Sequence, residues 1–184
     1  MPSVKPALIL FVIISVSVLL LSILYDITRE PIRLSQIARE TAAVNSLVPG
    51  TVTTTEEYVE NNASVSKIVT GYDAQGVIIG YAVTASAPGY AGAVEIMAGF
   101  NAEGRLMGVQ VISQRETPGL GTAILNEDFL EQFAGRTESI IVVRMPSADN
   151  EIAALASATI STVAVVEGVN AAMEYIASRI GGAQ

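Results

Sequence analysis

Gly71-Tyr-Asp-Ala-Gln-Gly-Val-Ile-Ile-Gly-Tyr-Ala-Val83 returns further along the chain as Gly99-Phe-Asn-Ala-Glu-Gly-Arg-Leu-Met-Gly-Val-Gln-Val111. Each copy reads strand, turn, strand. Asp73 to Gly76 and Asn101 to Gly104 open on Asp or Asn and close on Gly, the chemistry of tight hairpin turns. The flanking Ile, Val, Tyr and Phe residues suit the pleated, half-buried surface of a strand. The pair therefore predicts two hairpins in one mostly antiparallel sheet, as a true repeat or as two hairpins sharing turn chemistry. The expected fold class is α+β: one N-terminal transmembrane helix, then a mostly antiparallel sheet with flanking helices.

Outward from the repeat, Ala85-Ser-Ala-Pro-Gly-Tyr-Ala-Gly-Ala93 reads as a loop of small residues carrying one aromatic, Tyr90. Small residues let backbone approach a flat ligand closely; a plain surface loop is the simpler reading. After the second hairpin, Arg115-Glu-Thr-Pro-Gly-Leu-Gly121 must turn at Pro118 and its glycines. Thr122 is placed to cap a helix reaching Phe133, ended by Ala134-Gly135. Ser139 to Met145 reads as an apolar strand, Pro146 to Asn150 as a loop and Glu151 to Ala156 as a helical turn. Val166, Val169, Met173, Ile176 and Ile180 follow helical spacing, so a last helix with one buried face is expected from about Val163 to Ile180. Gly181-Gly182 stops it.

Just before that helix lies Leu155-Ala-Ser-Ala-Thr-Ile-Ser-Thr-Val163, with hydroxyls at Ser157, Thr159, Ser161 and Thr162. A helix start carries unpaired N–H groups and partial positive charge, and so holds phosphate. A nearby hydroxyl can bond that phosphate or be esterified to it. The plain alternative is that Ser161 or Thr162 caps the helix.

Toward the N-terminus, Ala7 to Tyr25 has no charged residue. As a helix it spans ~28 Å, close to the hydrocarbon thickness of a bilayer. A retained single anchor is favoured over a cleaved signal peptide, because the segment is long for one and no small-x-small cleavage site follows. Thr28 to Val48 continues as an amphipathic helix with Ile37, Val44 and Val48 on one face; Pro31 fits only its first turn or a kink. Pro49-Gly50 ends it, and Thr51 to Ser64 is loop with some strand. The organisation expected is an anchor over 1–27, a linker helix over 28–50 and a domain over 51–184.

Composition narrows the chemistry. The chain has 184 residues and neither cysteine nor histidine. Disulfides, thiolate metal sites and iron–sulfur clusters held by this chain are excluded, and the commonest general base and metal ligand is absent. The net charge of −8 argues against nucleic acid. Chemistry is left to hydroxyls, carboxylates, backbone groups or a cofactor. Arg29, Arg33 and Arg39 follow the anchor and Lys5 precedes it, so the Lys/Arg count does not place the C-terminal side outside.

Glu116-Thr-Pro-Gly-Leu-Gly121 and Ser157-Ala-Thr-Ile-Ser-Thr162, standing behind one anchor, resemble the FMN-binding domain family. The chain looks most like the G subunit of Rnf electron-transport complexes, and next like the C subunit of sodium-pumping NADH:quinone reductases. The resemblance implies FMN joined through its phosphate to Thr159, placed there from FAD by a separate flavin transferase. The family pattern, similar to Asp-x-x-Ser/Thr-Gly-Ala-Thr, falls on Ala153, Ala156, Ser157, Ala158 and Thr159; only the last two match it directly. Thr162 or Ser161 is the weaker alternative for attachment. Tyr90, Glu116, Thr117, Gly119, Leu120 and Gly121 would lie around the ring, with Ser157, Ala158, Ser161 and Thr162 near the phosphate.

The resemblance further implies an electron-relay subunit of an ion-translocating ferredoxin:NAD oxidoreductase, held in the cytoplasmic membrane with its domain on the extracytoplasmic side. Its partners would be the bilayer, the flavin transferase, and the membrane and iron–sulfur subunits of the complex. The alternatives are the equivalent quinone-reductase subunit, a cofactor-free anchored scaffold, and a free-standing extracellular flavin reductase.

Overall fold

The computed structural model describes residues 4–181. Gly182, expected to help stop the last helix, lies outside them. The chain divides into two compact units, with the boundary between Glu40 and Thr41.

The first unit is most of one continuous helix, α1 (Lys5–Leu47). Among the described residues it is the one helix long and apolar enough to cross a membrane. Its side chains from Leu8 to Ile37 include a long run of exposed Leu, Ile and Val. In water that surface is unfavourable; in lipid it is what a span requires. The helix runs through Pro31. Proline there has no N–H to give the Ile27 carbonyl, a loss the neighbouring turns absorb.

In the second unit, β1 (Thr53–Tyr58), β2 (Val65–Tyr72), β3 (Ile78–Pro88), β4 (Ala93–Asn101) and β5 (Leu106–Ser113) form an antiparallel sheet in chain order. Both expected hairpins are present, and their turns are built alike. Asp73 Oδ1 accepts from the N–H groups of Gln75 and Val77, and Asn101 Oδ1 accepts from that of Arg105. Each turn closes on a glycine with positive φ, +79° at Gly76 and +81° at Gly104.

The repeat also builds a seat. Gly71, Gly80, Gly99 and Gly108 open the sheet face under the end of α1 and the turn after it. A Cβ at Gly71 would meet Thr51 Oγ1 at 2.7 Å, at Gly80 Val48 Cγ1 at 2.9 Å, at Gly99 Leu47 Cβ at 2.5 Å and at Gly108 Leu47 Cδ2 at 3.3 Å. Ala43, Val44, Leu47 and Val48 are buried there with Val69, Ala82 and Met97.

The opposite face holds the larger core. Ile68, Val83, Ile96, Ala98 and Phe100 point from the sheet toward α3 (Thr159–Gly181), which answers with Val165, Val166, Val169, Ala172 and Ile176. Each valine, isoleucine or phenylalanine among them contributes about 1.5–3 kcal/mol on burial. Of the residues expected on the buried face of α3, Met173 and Ile180 are only partly buried.

Several local expectations are corrected. The loop expected over 85–93 shrinks to Gly89–Gly92, because Ala85 to Pro88 pair with Ala93 to Ile96 as strand. The helix expected from Thr122 to Phe133 is broken at Asn126, whose φ −67°, ψ 136° is extended. It becomes a 3-10 turn (Gly121–Leu125), the short helix α2 (Glu127–Leu130) and a second 3-10 turn (Glu131–Phe133). Thr122 lies inside the first piece rather than capping it. The strand over 139–145 is β6 (Ile141–Val143), and the expected helical turn is instead β7 (Glu151–Ala153), parallel to it. Glu151 ties down the intervening loop by accepting from the N–H of Ser147, the hydroxyl of Ser147 and the N–H of Ala148. These bonds, that to the Ser147 N–H first, hold its carboxyl below the usual carboxylate range.

Candidate functional site

Three segments distant in sequence meet at one end of the second unit: the β3–β4 tip, the loop from Arg115 to Gly121, and the start of α3. The last of these differs from expectation. Helix α3 begins at Thr159, not near Val163, so Thr159 stands in its first turn. Ser157 precedes it with φ +65°, and Ala158 takes the position just before the helix.

The four hydroxyls separate cleanly. Ser161 and Thr162 are buried, whereas Ser157 and Thr159 are exposed. Thr162 accepts from the Leu155 N–H at 3.2 Å and donates to the Ala158 carbonyl at 2.9 Å. It locks the turn before the helix and is 0% exposed. Neither Ser161 nor Thr162 precedes the helix as a cap. Of the hydroxyl-bearing residues on α3's first turn, only Thr159 is exposed, near the positive end of a 23-residue helix.

Glu116 joins the three segments. It is 5% exposed. Its Oε2 accepts from the Ser161 hydroxyl at 2.6 Å, and its Oε1 accepts from the Ala91 N–H at 3.1 Å. Its own N–H donates to the Gln114 side chain. Thr117 to Thr122 forms a closed turn: the Thr117 carbonyl accepts from the N–H groups of Leu120 and Thr122, and Thr122 Oγ1 accepts from the Gly119 N–H. Gly119 has φ +78°, which this turn demands.

These segments wall a cavity of about 570 Å³, lined by Tyr90, Glu116, Thr117, Leu120, Gly121, Ser157, Ala158, Thr159, Ile160 and Ser161. That volume is ordinary for a cofactor site. Gly119 and Thr162, expected beside the cofactor, are not in the wall; the first shapes the turn and the second the helix start. Ile160 was not expected there. It is a half-exposed isoleucine on the first turn of a helix whose partners lie elsewhere, and that exposure in an otherwise polar stretch is the signal that marks it. Tyr90, Leu120 and Ile160 give the cavity an exposed apolar rim.

Ser157 sits in the left-handed region that glycine enters without steric cost. Ser157→Gly is therefore expected to stabilise the domain by about 1 kcal/mol, less glycine's added entropy in the unfolded chain. Denaturant melts of the two proteins check this; an unchanged or lower midpoint would mean that the Ser157 side chain stabilises the turn in some other way.

The family model for the FMN-binding domain matches residues 89–174. That span holds the β3–β4 tip, the Glu116 loop and the start of α3. The G subunit of the ion-translocating oxidoreductase complex of Methanosarcina acetivorans is 29% identical over 182 residues, covering 92% of each chain. The G subunit of the Na(+)-translocating ferredoxin:NAD(+) oxidoreductase complex of Acetobacterium woodii is 30% identical over 187 residues, covering 92% of this chain and 89% of that one. Among solved structures, the C subunit of the Na(+)-translocating NADH-quinone reductase from Parabacteroides distasonis shares the fold. It has a TM-score of 0.53 and 16% identity over 76% of this chain and 83% of that one.

Proposed function

The chain belongs to the FMN-binding domain family and, within it, to the G subunits of ion-translocating oxidoreductase complexes, and on that premise we propose that it is a membrane-anchored electron-relay subunit whose FMN is esterified to Thr159. The observation that carries this reading is the exposed Thr159 in the first turn of α3, in the wall of a cavity with an apolar rim.

The residues present fit FMN. The phosphate needs a nucleophile or a donor set. Thr159 supplies the hydroxyl, and the helix start supplies N–H groups and partial positive charge, worth about 0.3–1 kcal/mol toward an exposed anion. The ring needs flat, largely apolar walls approached closely by backbone, which Tyr90, Leu120, Ile160 and Gly121 provide. Attachment would exchange the phosphoanhydride bond of FAD for an ester at the Thr159 hydroxyl, with AMP as leaving group and the hydroxyl proton going to solvent or to the transferase. The ester leaves the ring system unmodified, and bound FMN supplies the one- and two-electron chemistry that this chain's side chains lack. Thr159 tethers, the first turn of α3 steadies the phosphate, and the rim shields the ring from water.

In this reading residues 1–27 anchor the chain, 28–50 link and 51–184 bind FMN. The domain lies on the extracytoplasmic side in this reading, as the family resemblance implies; the Lys/Arg count does not oppose it, because a domain of this size translocates largely regardless of flanking charge. NAD, ferredoxin and iron–sulfur sites, and the ion path, belong to other subunits of the complex; the transferase acts only in maturation. The test is fluorescence of the denatured chain in a gel, after expression with a flavin transferase. A flavin band that survives denaturation is expected. A purified chain that is colourless before denaturation as well as after it would leave the cofactor-free scaffold as the better reading.

A further inference from the structure

We propose that Glu116 is the positioning residue of the site: one carboxylate sets both the place of Tyr90 on the rim and the place of the Thr159 hydroxyl on the wall. The proposal rests on the reading that FMN is attached at Thr159.

The geometry is specific. Oε1 holds the N–H of Ala91, the residue directly after Tyr90, and Oε2 holds the hydroxyl of Ser161, in the same helical turn as Thr159. Neither tie is local: the first pair stands 25 positions apart in the chain and the second 45. The carboxylate is wedged between two glycines. A Cβ at Gly89 would stand 2.5 Å from Oε1, and one at Gly121 would stand 2.6 Å from Oε2. Tyr90 is 71% exposed and lies at the tip between β3 and β4, and its neighbour's bond to Glu116 ties that tip to the loop after β5. The Ser161 hydroxyl has one proton and gives it to Glu116. With that bond made, Ser161 cannot also donate to a phosphate. Ser161 thus serves Glu116, and the phosphate is left to Thr159 and the helix start.

Glutamine keeps this arrangement: its oxygen can accept from Ala91, and its amide can donate to Ser161 Oγ. Alanine removes both ties. Ser161→Ala removes only the helix tie and leaves the Tyr90 tie in place. The experiment uses the full chain in detergent with flavin transferase, Mg²⁺ and FAD. It records the rate of covalent flavin gain and the fluorescence of the attached flavin, native against denatured.

In E116A, flavin gain should slow about tenfold to a hundredfold, the range expected when a reacting group is misplaced by about 1 Å. The little flavin attached should fluoresce as it does in Y90L, having lost a fixed tyrosine neighbour. E116Q should restore the wild-type rate to within about threefold, because it keeps the geometry without the charge. S161A should slow attachment while leaving the native fluorescence ratio unchanged, and it reads the helix tie even where E116A fails to fold. A wild-type rate in S161A, or E116Q falling as far as E116A, would overturn the proposal. A wild-type chain that gains no flavin would sink the attachment reading instead.

Discussion

Thr159→Ala is expected to abolish covalent flavin altogether while leaving stability within about 0.5 kcal/mol of wild type, the usual range for an exposed position. The side chain is exposed, and the ties that hold the helix start in place are made by Ser161 and Thr162 instead. Loss of its hydroxyl therefore removes the nucleophile and little else. The neighbours cannot stand in. Ser161 is buried and committed to Glu116, and Thr162 is buried between Leu155 and Ala158. Ser157 is exposed but lies before the helix, in the left-handed turn. Thr159→Ser keeps a hydroxyl and should keep attachment, at reduced occupancy because serine's hydroxyl is less fixed in rotamer than threonine's. In-gel fluorescence of denatured protein reads all three chains. A fluorescent band from Thr159→Ala would move the ester to another hydroxyl.

Gly99→Ala should destabilise the second unit by about 1–3 kcal/mol, the usual cost of overpacking, and toward the upper end of that range. The new methyl would meet Leu47 Cβ at 2.5 Å and the Leu47 carbonyl oxygen at 2.9 Å. Those atoms belong to the chain path itself, so relief requires the end of α1 to lift from the sheet. Gly108→Ala is the control. Its methyl would meet only Leu47 Cδ2, at 3.3 Å, the movable end of a side chain. Urea melts should rank Gly99→Ala well below Gly108→Ala, with wild type highest. The reverse order would mean that the glycine seat does not hold the helix end.

That seat shows where sequence reading succeeds and where it stops. The turns at Asp73 and Asn101 are local: an Asx side chain, a glycine and flanking strand formers decide them within a few residues, and both were legible. The glycines at 71, 80, 99 and 108 stood in plain view in the repeat, but their reason is Leu47, Val48 and Thr51, and for Gly80 first the Phe100 carbonyl of the neighbouring strand, none of which a local rule supplies. Ala85 to Pro88 carry too little hydrophobic contrast to show a strand's alternation, and their pairing with β4 decides them. The break at Asn126 and the parallel pairing of Glu151 to Ala153 are likewise set by tertiary neighbours.

For the site, motif spacing pointed to the Glu116 loop and the hydroxyl stretch, and the fold brings both to one cavity with Tyr90. It did not reveal that the helix begins at Thr159, since four hydroxyls so close together make equally good starts on paper. Burial tells them apart. Nor did it reveal what Glu116 holds, because both partners lie far off in the chain.

The measurement that bears most directly on flavin attachment at Thr159 is the intact mass of the chain isolated from its native membrane, followed by fragment masses across residues 155–165. The predicted result is the full polypeptide plus one FMN less one water, with the added mass on Thr159. A mass equal to that of the amino acids alone, or flavin found on any other residue, would contradict it.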